Sequence, residues 1–245
     1  MIKTTLFRGL SVGLLLFCLA GCGTIDYFFL PPPTDTAEEL WEAGRDAMKE
    51  KRYTSAQDIF LKLKDRFPFS PYAADGLLGL GDAYFMDGKF QEAADAYKEF
   101  ESLHPRHEMI PYVLYQIGVS IFRKLDSVDL PQEGLGEAIQ YFTLLKDHYP
   151  NTQWGQDAVN WIAKCRTRMA EHEILIADFY WNTGQYGAAW KRYMYIAENF
   201  KDLPEPFKYA RDKAQLAYLE YQKTLTEEER RSVEGSWHNF MKKWL

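Results

Sequence analysis

The chain has 245 residues, with 29 lysines and arginines against 35 aspartates and glutamates, so its formal net charge is −6 at pH 7. An acidic protein without a basic stripe is a poor binder of nucleic acid, and we expect no nucleic-acid partner. The length is sufficient for a single helical array with a continuous core.

The first 21 residues have the features of a lipoprotein signal peptide. Lys3 and Arg8 supply a basic start, and residues 10–19 form an apolar run that is too short to span a bilayer comfortably as a transmembrane anchor, which is the alternative interpretation. Residues 19–22 (LAGC) have the pattern of a bacterial lipobox. We therefore expect cleavage before Cys22 and a covalent diacylglyceryl and palmitoyl lipid on that cysteine.

The residue that follows Cys22 predicts the membrane in which the lipoprotein resides. Gly23 replaces the aspartate that retains lipoproteins at the inner membrane in some bacteria, which favours the periplasmic face of the outer membrane.

Because Cys18 leaves with the signal peptide and Cys22 carries lipid, Cys165 has no partner for a disulfide or a cysteine metal cluster. Its helical spacing from Trp161 and Met169 predicts a small core residue.

Residues 22–36 form a tether in which three consecutive prolines, at positions 31–33, favour an extended and semi-rigid spacer. The folded domain is expected to span residues 37–245. Its N-terminal repeats occupy residues 37–150, and its C-terminal repeats occupy residues 151–245.

A 37-residue period organises this domain, since Gly44, Gly81 and Gly118 recur at that interval. In several units an alanine follows the small residue by twelve positions and an aromatic residue follows by four more. The matching triplets are Gly44/Ala56/Phe60, Gly81/Ala93/Tyr97 and Ala177/Ala189/Tyr193. Such a pattern is typical of tetratricopeptide repeats, in which two antiparallel helices meet at small residues. The predicted fold class is all-α, an α-solenoid of about five such helix pairs.

Several segments depart from the period. Residues 124–136 contain a proline and two glycines and predict a loop, whereas residues 154–183 contain no proline and predict one long helix or two nearly coaxial helices. Ser70 and Pro71 predict an N-cap and a first-turn proline. A degenerate fifth unit is expected to end in a helix that begins at Thr226, because terminal repeats cap the stack.

Catalytic motifs are absent from the sequence. The pair His172-Glu173 lacks the second histidine of a zinc-protease helix, because Ile176 occupies that position. His104 and His107 alone do not make a metal site and are interpreted as part of a solvated turn. We therefore expect no enzymatic activity, no metal and no cofactor apart from the lipid on Cys22.

The concave groove of a tetratricopeptide array is lined by its first helices, and here it is apolar and aromatic with cations at one end. Methionine and aromatic side chains suit a surface that accepts related apolar peptides, and Arg45 with Lys49 could pair with a terminal carboxylate. The alternative is that these side chains pack against the neighbouring unit or against a returning loop. The predicted groove residues are Trp41, Arg45, Met48, Lys49, Leu78, Phe85, Met86, Tyr112, Tyr115 and Phe122.

Three segments, residues 66–72 (RFPFSPY), 111–118 (PYVLYQIG) and 184–189 (GQYGAA), resemble the BamD family of lipoproteins, which belong to the outer-membrane β-barrel assembly machinery. The resemblance implies a five-repeat scaffold whose C-terminal repeats dock on a periplasmic domain of BamA. It also implies that the N-terminal repeats receive the C-terminal targeting segments of unfolded outer-membrane proteins, and that other Bam lipoproteins join the complex. Arg192 matches the arginine of the family that contacts BamA.

A second hypothesis is a periplasmic repeat adaptor of the Tol, cell-division or peptidoglycan machinery. Such adaptors tend to carry an N-terminal coiled coil, and no heptad pattern is present between Cys22 and Asp35. A cell-wall hydrolase with a repeat module would need a catalytic domain, for which the repeats leave no segment.

Overall fold

The computed structural model describes residues 35–125, 132, 134–225 and 229. Within these ranges the chain forms nine α-helices and no strand. They are α1 (Ala37–Lys49), α2 (Tyr53–Arg66), α3 (Ala73–Met86), α4 (Phe90–Leu103), α5 (Ile110–Lys124), α6 (Gly134–His148), α7 (Gln153–Asn182), α8 (Tyr186–Asn199) and α9 (Pro204–Thr224). The predicted signal peptide, the predicted lipidation site Cys22, nearly all of the tether and nearly all of the predicted last helix lie outside the described residues.

The helices stack as consecutive antiparallel pairs. Each helix packs on the next one along the chain, and α1 also contacts α3, α5 contacts α7, and α7 contacts α9. The first helices of successive pairs therefore share one side of the array, which is the arrangement of a tetratricopeptide solenoid. The predicted all-α solenoid is confirmed.

The 37-residue period has a steric cause. A Cβ atom on Gly44 would lie 2.4 Å from Phe60 Cε1, and one on Gly81 would lie 2.6 Å from Tyr97 Cε1. Gly118 meets the ring of Phe142 in the same way, at 2.6 Å. Each glycine thus lets an aromatic ring of the second helix pack directly on the backbone of the first helix.

The turns inside the helix pairs also repeat. Gly88 (φ 77°) and Gly184 (φ 74°) adopt the left-handed conformation where α3 gives way to α4 and α7 to α8. In the first pair, Lys51 occupies the equivalent position in the turn between α1 and α2, with φ 58°. A residue with a Cβ atom pays about 1 kcal/mol or more for this conformation, so Lys51 occupies a position that glycine would fill at less cost.

Side-chain caps define two helix starts, and one predicted cap is wrong. Thr36 and Glu39 form a reciprocal capping box at α1, and the Thr152 hydroxyl accepts a hydrogen bond from the Gly155 amide at α7. Ser70 does not cap α3. Its amide and carbonyl form a turn with Phe67 and Ala73, and α3 begins after Tyr72.

Helix α7 joins the two halves of the core. It is a single helix of 30 residues, which confirms the first of the two alternatives for this segment. One core cluster ends at Cys165 and the other begins at Ala170, while Met169 packs against both. Cys165 is fully buried, as predicted, and burial raises the pKa of its thiol to about 12.

The segment between α5 and α6 is shorter than the predicted loop. Helix α6 already begins at Gly134, since Leu135 is fully buried and fixes the first turn against the core. Among the helices of the described ranges, none has both the length and the apolar character required to cross a membrane.

Candidate functional site

A cavity of about 390 Å³ lies in the N-terminal half. We call it the N-terminal cavity, and its lining residues come from α1, the turn after α1, and helices α2, α3 and α5. They are Met48, Lys49, Lys51, Tyr53, Asp82, Phe85, Met86, Tyr112 and Gln116. The structure thus brings together half of the predicted groove residues, namely Met48, Lys49, Phe85, Met86 and Tyr112.

Three of the residues that line the N-terminal cavity are apolar, and their side chains are only partly covered. Met86 is 54% exposed, whereas Met48 and Phe85 are half-buried against the core. The ring of Phe85 meets that of Phe90 edge to face, with centroids 5.4 Å apart. Apolar side chains of this kind, left open to solvent, are suited to contact an apolar ligand.

Asp82, one of the lining residues of the cavity, is surrounded by hydrogen-bond donors. The hydroxyls of Tyr97 and Tyr112 both donate to Asp82 Oδ1, each at 2.6 Å, and Gln116 Nε2 donates to the Tyr112 hydroxyl at 2.9 Å. Burial raises the pKa of Asp82 above its usual value. Burial and the charge of Asp82 also raise the pKa of Tyr97 and Tyr112. Both phenols therefore remain protonated donors at physiological pH.

The same arrangement occurs in the C-terminal half. Asp178 Oδ1 accepts hydrogen bonds from the hydroxyls of Tyr193 and Tyr209, at 2.5 and 2.9 Å. In both halves the aspartate directly follows the small residue of the repeat, and in the N-terminal half the first tyrosine packs on that small residue. Each cluster ties a first helix to its second helix and to the next first helix. The sequence carries this signal, but we did not predict the hydrogen bonds.

The remaining N-terminal groove residues lie outside the cavity. Trp41 packs on Phe60 with ring centroids 5.8 Å apart, and the Arg45 guanidinium lies 5.6 Å from the Trp41 ring. Leu78 is half-buried against the core. These contacts leave Arg45 close to the surface, where it does not line the N-terminal cavity.

Helix α7 covers the last predicted groove residues. The Tyr115 hydroxyl donates to Asp157 at 3.1 Å and accepts from the Trp161 indole at 3.0 Å. Phe122 is only 9% exposed, because it lies between the Trp161 ring and the Arg168 guanidinium, 5.2 and 4.0 Å away. Phe122 is therefore a core residue, and the open part of the groove ends at Tyr112.

Arg192 lies on α8 at a second cavity, of about 270 Å³. Its guanidinium Nη1 is 2.8 Å from Glu173 Oε2 on α7. The side chain of Arg192 is 43% exposed and that of Glu173 is 19% exposed. Arg192 is thus half-exposed and forms an ion pair with a carboxylate of its own chain, which the sequence did not indicate.

An apolar patch adjoins this second cavity. Leu175 and Phe179, one helical turn apart on α7, are 48% and 60% exposed. Ile176 lines both the cavity at Arg192 and a shallow depression that contains Leu175 and Phe179. Exposed apolar side chains beside a half-exposed arginine are typical of protein interaction surfaces.

The histidines that follow the second helix pair pack on an aromatic ring. The rings of His104 and His107 each lie 5.2 Å from the Phe100 ring, measured between centroids. Across the described part of the chain, no group of three or more histidines, cysteines, aspartates or glutamates is arranged to hold a metal ion.

Comparison with known proteins assigns the family. A family model described as an outer membrane lipoprotein, YfiO, matches residues 33–233. A protein of Neisseria meningitidis serogroup A named outer membrane protein assembly factor BamD is 28% identical over 223 residues, which cover 87% of this chain and 82% of the relative. A protein of the same name from Vibrio cholerae is 26% identical over 207 residues, covering 80% and 84%.

A solved tetratricopeptide repeat protein from Parabacteroides merdae covers 76% of this chain and 78% of its own, with a TM-score of 0.40 and 18% identity. That similarity is too weak to add to the fold described above. The family match, in contrast, extends over most of the sequence and bears out the resemblance found in residues 66–72 and 111–118. The chain belongs to the YfiO family of outer membrane lipoproteins, the family of the assembly factor BamD.

Proposed function

We propose that this protein is a non-enzymatic lipoprotein scaffold of the outer-membrane β-barrel assembly complex. Its C-terminal repeats bind the periplasmic domain of BamA, and its N-terminal repeats bind the C-terminal targeting segments of unfolded outer-membrane proteins. Other Bam lipoproteins complete the complex. The membership of the chain in this family is the observation that carries the proposal.

The N-terminal cavity is the proposed receptor for unfolded substrates. Its methionines and aromatic rings can contact apolar side chains of different shapes, because methionine side chains are flexible. Lys49 stands at its edge and pairs with Asp46 at 2.8 Å, but both side chains are more than 60% exposed. Exposed ion pairs contribute little free energy, so a ligand carboxylate can replace Asp46 at low cost.

The surface around Arg192 is the proposed BamA site. An arginine that is already oriented by Glu173 can share its remaining N–H donors with a carboxylate of the partner. The adjoining apolar patch, Leu175 and Phe179, supplies the area that a stable contact requires. The same charges set the specificity of the contact, because a like charge opposite the partner would repel it.

The lipid on Cys22 is the proposed anchor, at the periplasmic face of the outer membrane. The tether of residues 22–36 would then hold the solenoid close to the membrane in which the barrels are assembled. The alternative function, an adaptor of the Tol, division or peptidoglycan machinery, would use the same anchor with different partners. The two proposals are therefore separated by the identity of the stoichiometric partner.

The test is affinity purification of the full-length, lipidated protein from gently solubilised envelopes, followed by mass spectrometry. We expect a large integral β-barrel protein with periplasmic repeat domains in near-stoichiometric amount. Arg192→Glu should reduce its recovery at least tenfold, because it places a second carboxylate beside Glu173. Lys191→Glu, which changes the same charge on the neighbouring residue, is the matched control and should retain the partner.

Recovery of Tol or peptidoglycan-synthesis proteins in place of the barrel protein would support the adaptor and contradict the assembly role. Equal loss of the partner with Lys191→Glu and Arg192→Glu would show that net charge, not the contact at Arg192, governs binding.

A further inference from the structure

The turn between the first and second helix pairs carries a phenylalanine at its tip. The four turns between pairs share one geometry, because in each a backbone amide donates to the carbonyl three residues earlier, at positions 70 and 67, 107 and 104, 152 and 149, and 203 and 200. The third residue of the turn is polar in three of them, Arg106, Asn151 and Asp202, but is Phe69 in the first. The geometry of the turn therefore does not require an apolar side chain at this position.

The ring of Phe69 is 99% exposed. Pro68 and Pro71 restrict the backbone on either side of it, and the hydrogen bond of 3.1 Å from the Ser70 amide to the Phe67 carbonyl closes the turn. The hydrophobic effect favours removal of such a ring from water, yet the fold leaves it in solvent. Phe69 is thus held outside the core, where it is available to a partner.

This turn lies beside the point at which the N-terminal tether enters the solenoid. Asp35, the residue before the N-cap of α1, forms ion pairs with Lys62 and, at 3.3 Å, with Arg66, the last residue of α2. Burial and the nearby charge of Glu38, in the first turn of α1, raise the pKa of the Tyr72 phenol. The start of α1 and residues 66–72 are therefore neighbours, and we call this side of the array the tether edge.

A second exposed apolar side chain lies on the tether edge. Lys64 of α2 pairs with Glu99 of α4 at 2.9 Å, and Leu103, which ends α4 one turn later, is 61% exposed. Because consecutive helices are antiparallel, α2 and α4 end on the same side of the solenoid. Exposed arginines accompany both side chains, at positions 66 and 106. Exposed phenylalanine and leucine beside cations are suited to the interface of a phospholipid bilayer.

The tether brings this edge to the membrane. Residues 22–34 comprise 13 residues, which span at most about 45 Å when fully extended. The opposite edge, where Lys51 and Gly88 lie, is farther from the start of α1 by the length of a helix of 14 residues, about 20 Å. A lipid on Cys22 therefore attaches the solenoid by the side that carries Phe69.

We propose that the tether edge contacts the phospholipid surface, with the Phe69 ring inserted at the bilayer interface and Leu103 beside it. This inference goes beyond the proposed assembly role, but it rests on the proposed lipid anchor at Cys22. An anchor at the end of a tether fixes the distance of the solenoid from the membrane and leaves its orientation free. A contact through Phe69 would fix the orientation as well.

The test uses the full-length lipidated protein in vesicles of phosphatidylethanolamine and phosphatidylglycerol. A fluorophore attached to an introduced cysteine is quenched by spin-labelled lipid when it lies near the bilayer. Cys165 does not compete for the label, because it is fully buried and burial raises the pKa of its thiol to about 12. Arg106→Cys places the fluorophore on the tether edge, and Glu50→Cys places it at the end of α1, on the opposite edge. We expect about fivefold stronger quenching at position 106 than at position 50.

Substitutions at Phe69 assign this difference to its ring. Phe69→Ser should lower the quenching at position 106 about threefold, and Phe69→Trp should retain it, because tryptophan favours the membrane interface. Leu219→Ser is the matched control, since it removes a 51% exposed leucine that lies fifteen residues after the start of α9. It should leave the quenching unchanged. A side chain as exposed as Phe69 contributes no packing, so its variants should unfold at the same temperature as the unaltered protein.

Equal quenching at positions 106 and 50 would overturn the proposed orientation and leave the assembly role standing. Quenching at position 106 that persists in Phe69→Ser would overturn the assignment to Phe69. Protein that floats with the vesicles but is quenched at neither position would contradict the lipid contact and favour a protein partner for this ring. Protein that does not float with the vesicles would overturn the lipid anchor and the orientation together.

Discussion

Glycines, which have no Cβ atom, allow the paired helices to approach closely. At Gly44, Gly81 and Gly118 an added carbon would lie between 2.4 and 2.6 Å from an aromatic ring, which is inside the contact distance of any two carbon atoms. The rings of Phe60, Tyr97 and Phe142 are themselves almost completely buried and cannot move aside without displacing the core. The 37-residue period therefore arises because the backbone of each of these glycines contacts an aromatic ring of the paired helix.

The close contact at Gly81 predicts a stability difference between two glycines. Gly81→Ala should lower the free energy of unfolding by about 1–3 kcal/mol, because the new methyl group overlaps the Tyr97 ring. Gly136→Ala is the matched control, since Gly136 lies within α6 and a Cβ there would meet no atom within 4 Å. It should be neutral or slightly stabilising, because alanine favours helix more than glycine.

Chemical denaturation with a far-ultraviolet circular dichroism readout measures both free energies. Equal effects of the two substitutions would contradict the steric explanation of the repeat.

At the scale of the helices, α7 determines which surfaces stay open. Its first half covers Tyr115 and Phe122 through Trp161 and Arg168, and its second half presents Leu175 and Phe179 to solvent. Because the two core clusters meet along this helix, it fixes the N-terminal cavity relative to the proposed BamA site. Contacts between α7 and the helices after it therefore help to fix the position of the two proposed sites relative to each other.

One such contact gives a prediction about pH. Arg166 on α7 binds Asp202, in the turn before α9, through two hydrogen bonds of 2.7 and 2.5 Å. The Arg166 guanidinium holds the pKa of Asp202 below its usual value. A carboxyl group with a lowered pKa stabilises the folded state above its unfolded pKa of about 4, and this contribution is lost as the pH falls through the folded value.

Asp202→Asn should therefore destabilise the protein by about 0.5–1 kcal/mol at pH 7, since the pair is partly exposed, and by less as the pH is lowered below 4. Urea denaturation at a series of pH values measures the difference. Asp58→Asn, on the exposed face of α2, is the control and should change stability little. A cost of Asp202→Asn that stays constant from pH 7 to pH 3 would contradict the assigned role of the ion pair.

For the whole molecule, local pattern predicted the architecture, but contacts between distant residues decided the details of the site. The small and aromatic residues of each repeat, such as Gly81 and Tyr97, lie in one helix pair, so their spacing is visible in the sequence. The absence of proline from residues 154–183 likewise predicted one long helix or two nearly coaxial helices, and α7 is the first of these. Phe122 was wrongly predicted to line the groove. Trp161 and Arg168 of α7 bury it, and the sequence around Phe122 does not indicate how α7 packs on α5.

The hydrogen bonds at the two sites could not be predicted for the same reason. Tyr112 reaches Asp82 across 30 residues, and Glu173 meets Arg192 across 19 residues. Spacing placed Asp82 and Tyr112 on the first helices of their repeats, but it did not single out Glu173 as a neighbour of Arg192. Which donor meets which acceptor depends on side-chain geometry that is set only when the pairs stack.

The proposed assembly function can be tested by depleting the protein in the bacterium that encodes it and quantifying folded β-barrel proteins in isolated outer membranes. We predict that barrel proteins fall several-fold while other outer-membrane lipoproteins stay constant, and that the wild-type protein restores them whereas Arg192→Glu does not. Barrel protein levels that remain unchanged after depletion would contradict the proposed assembly function.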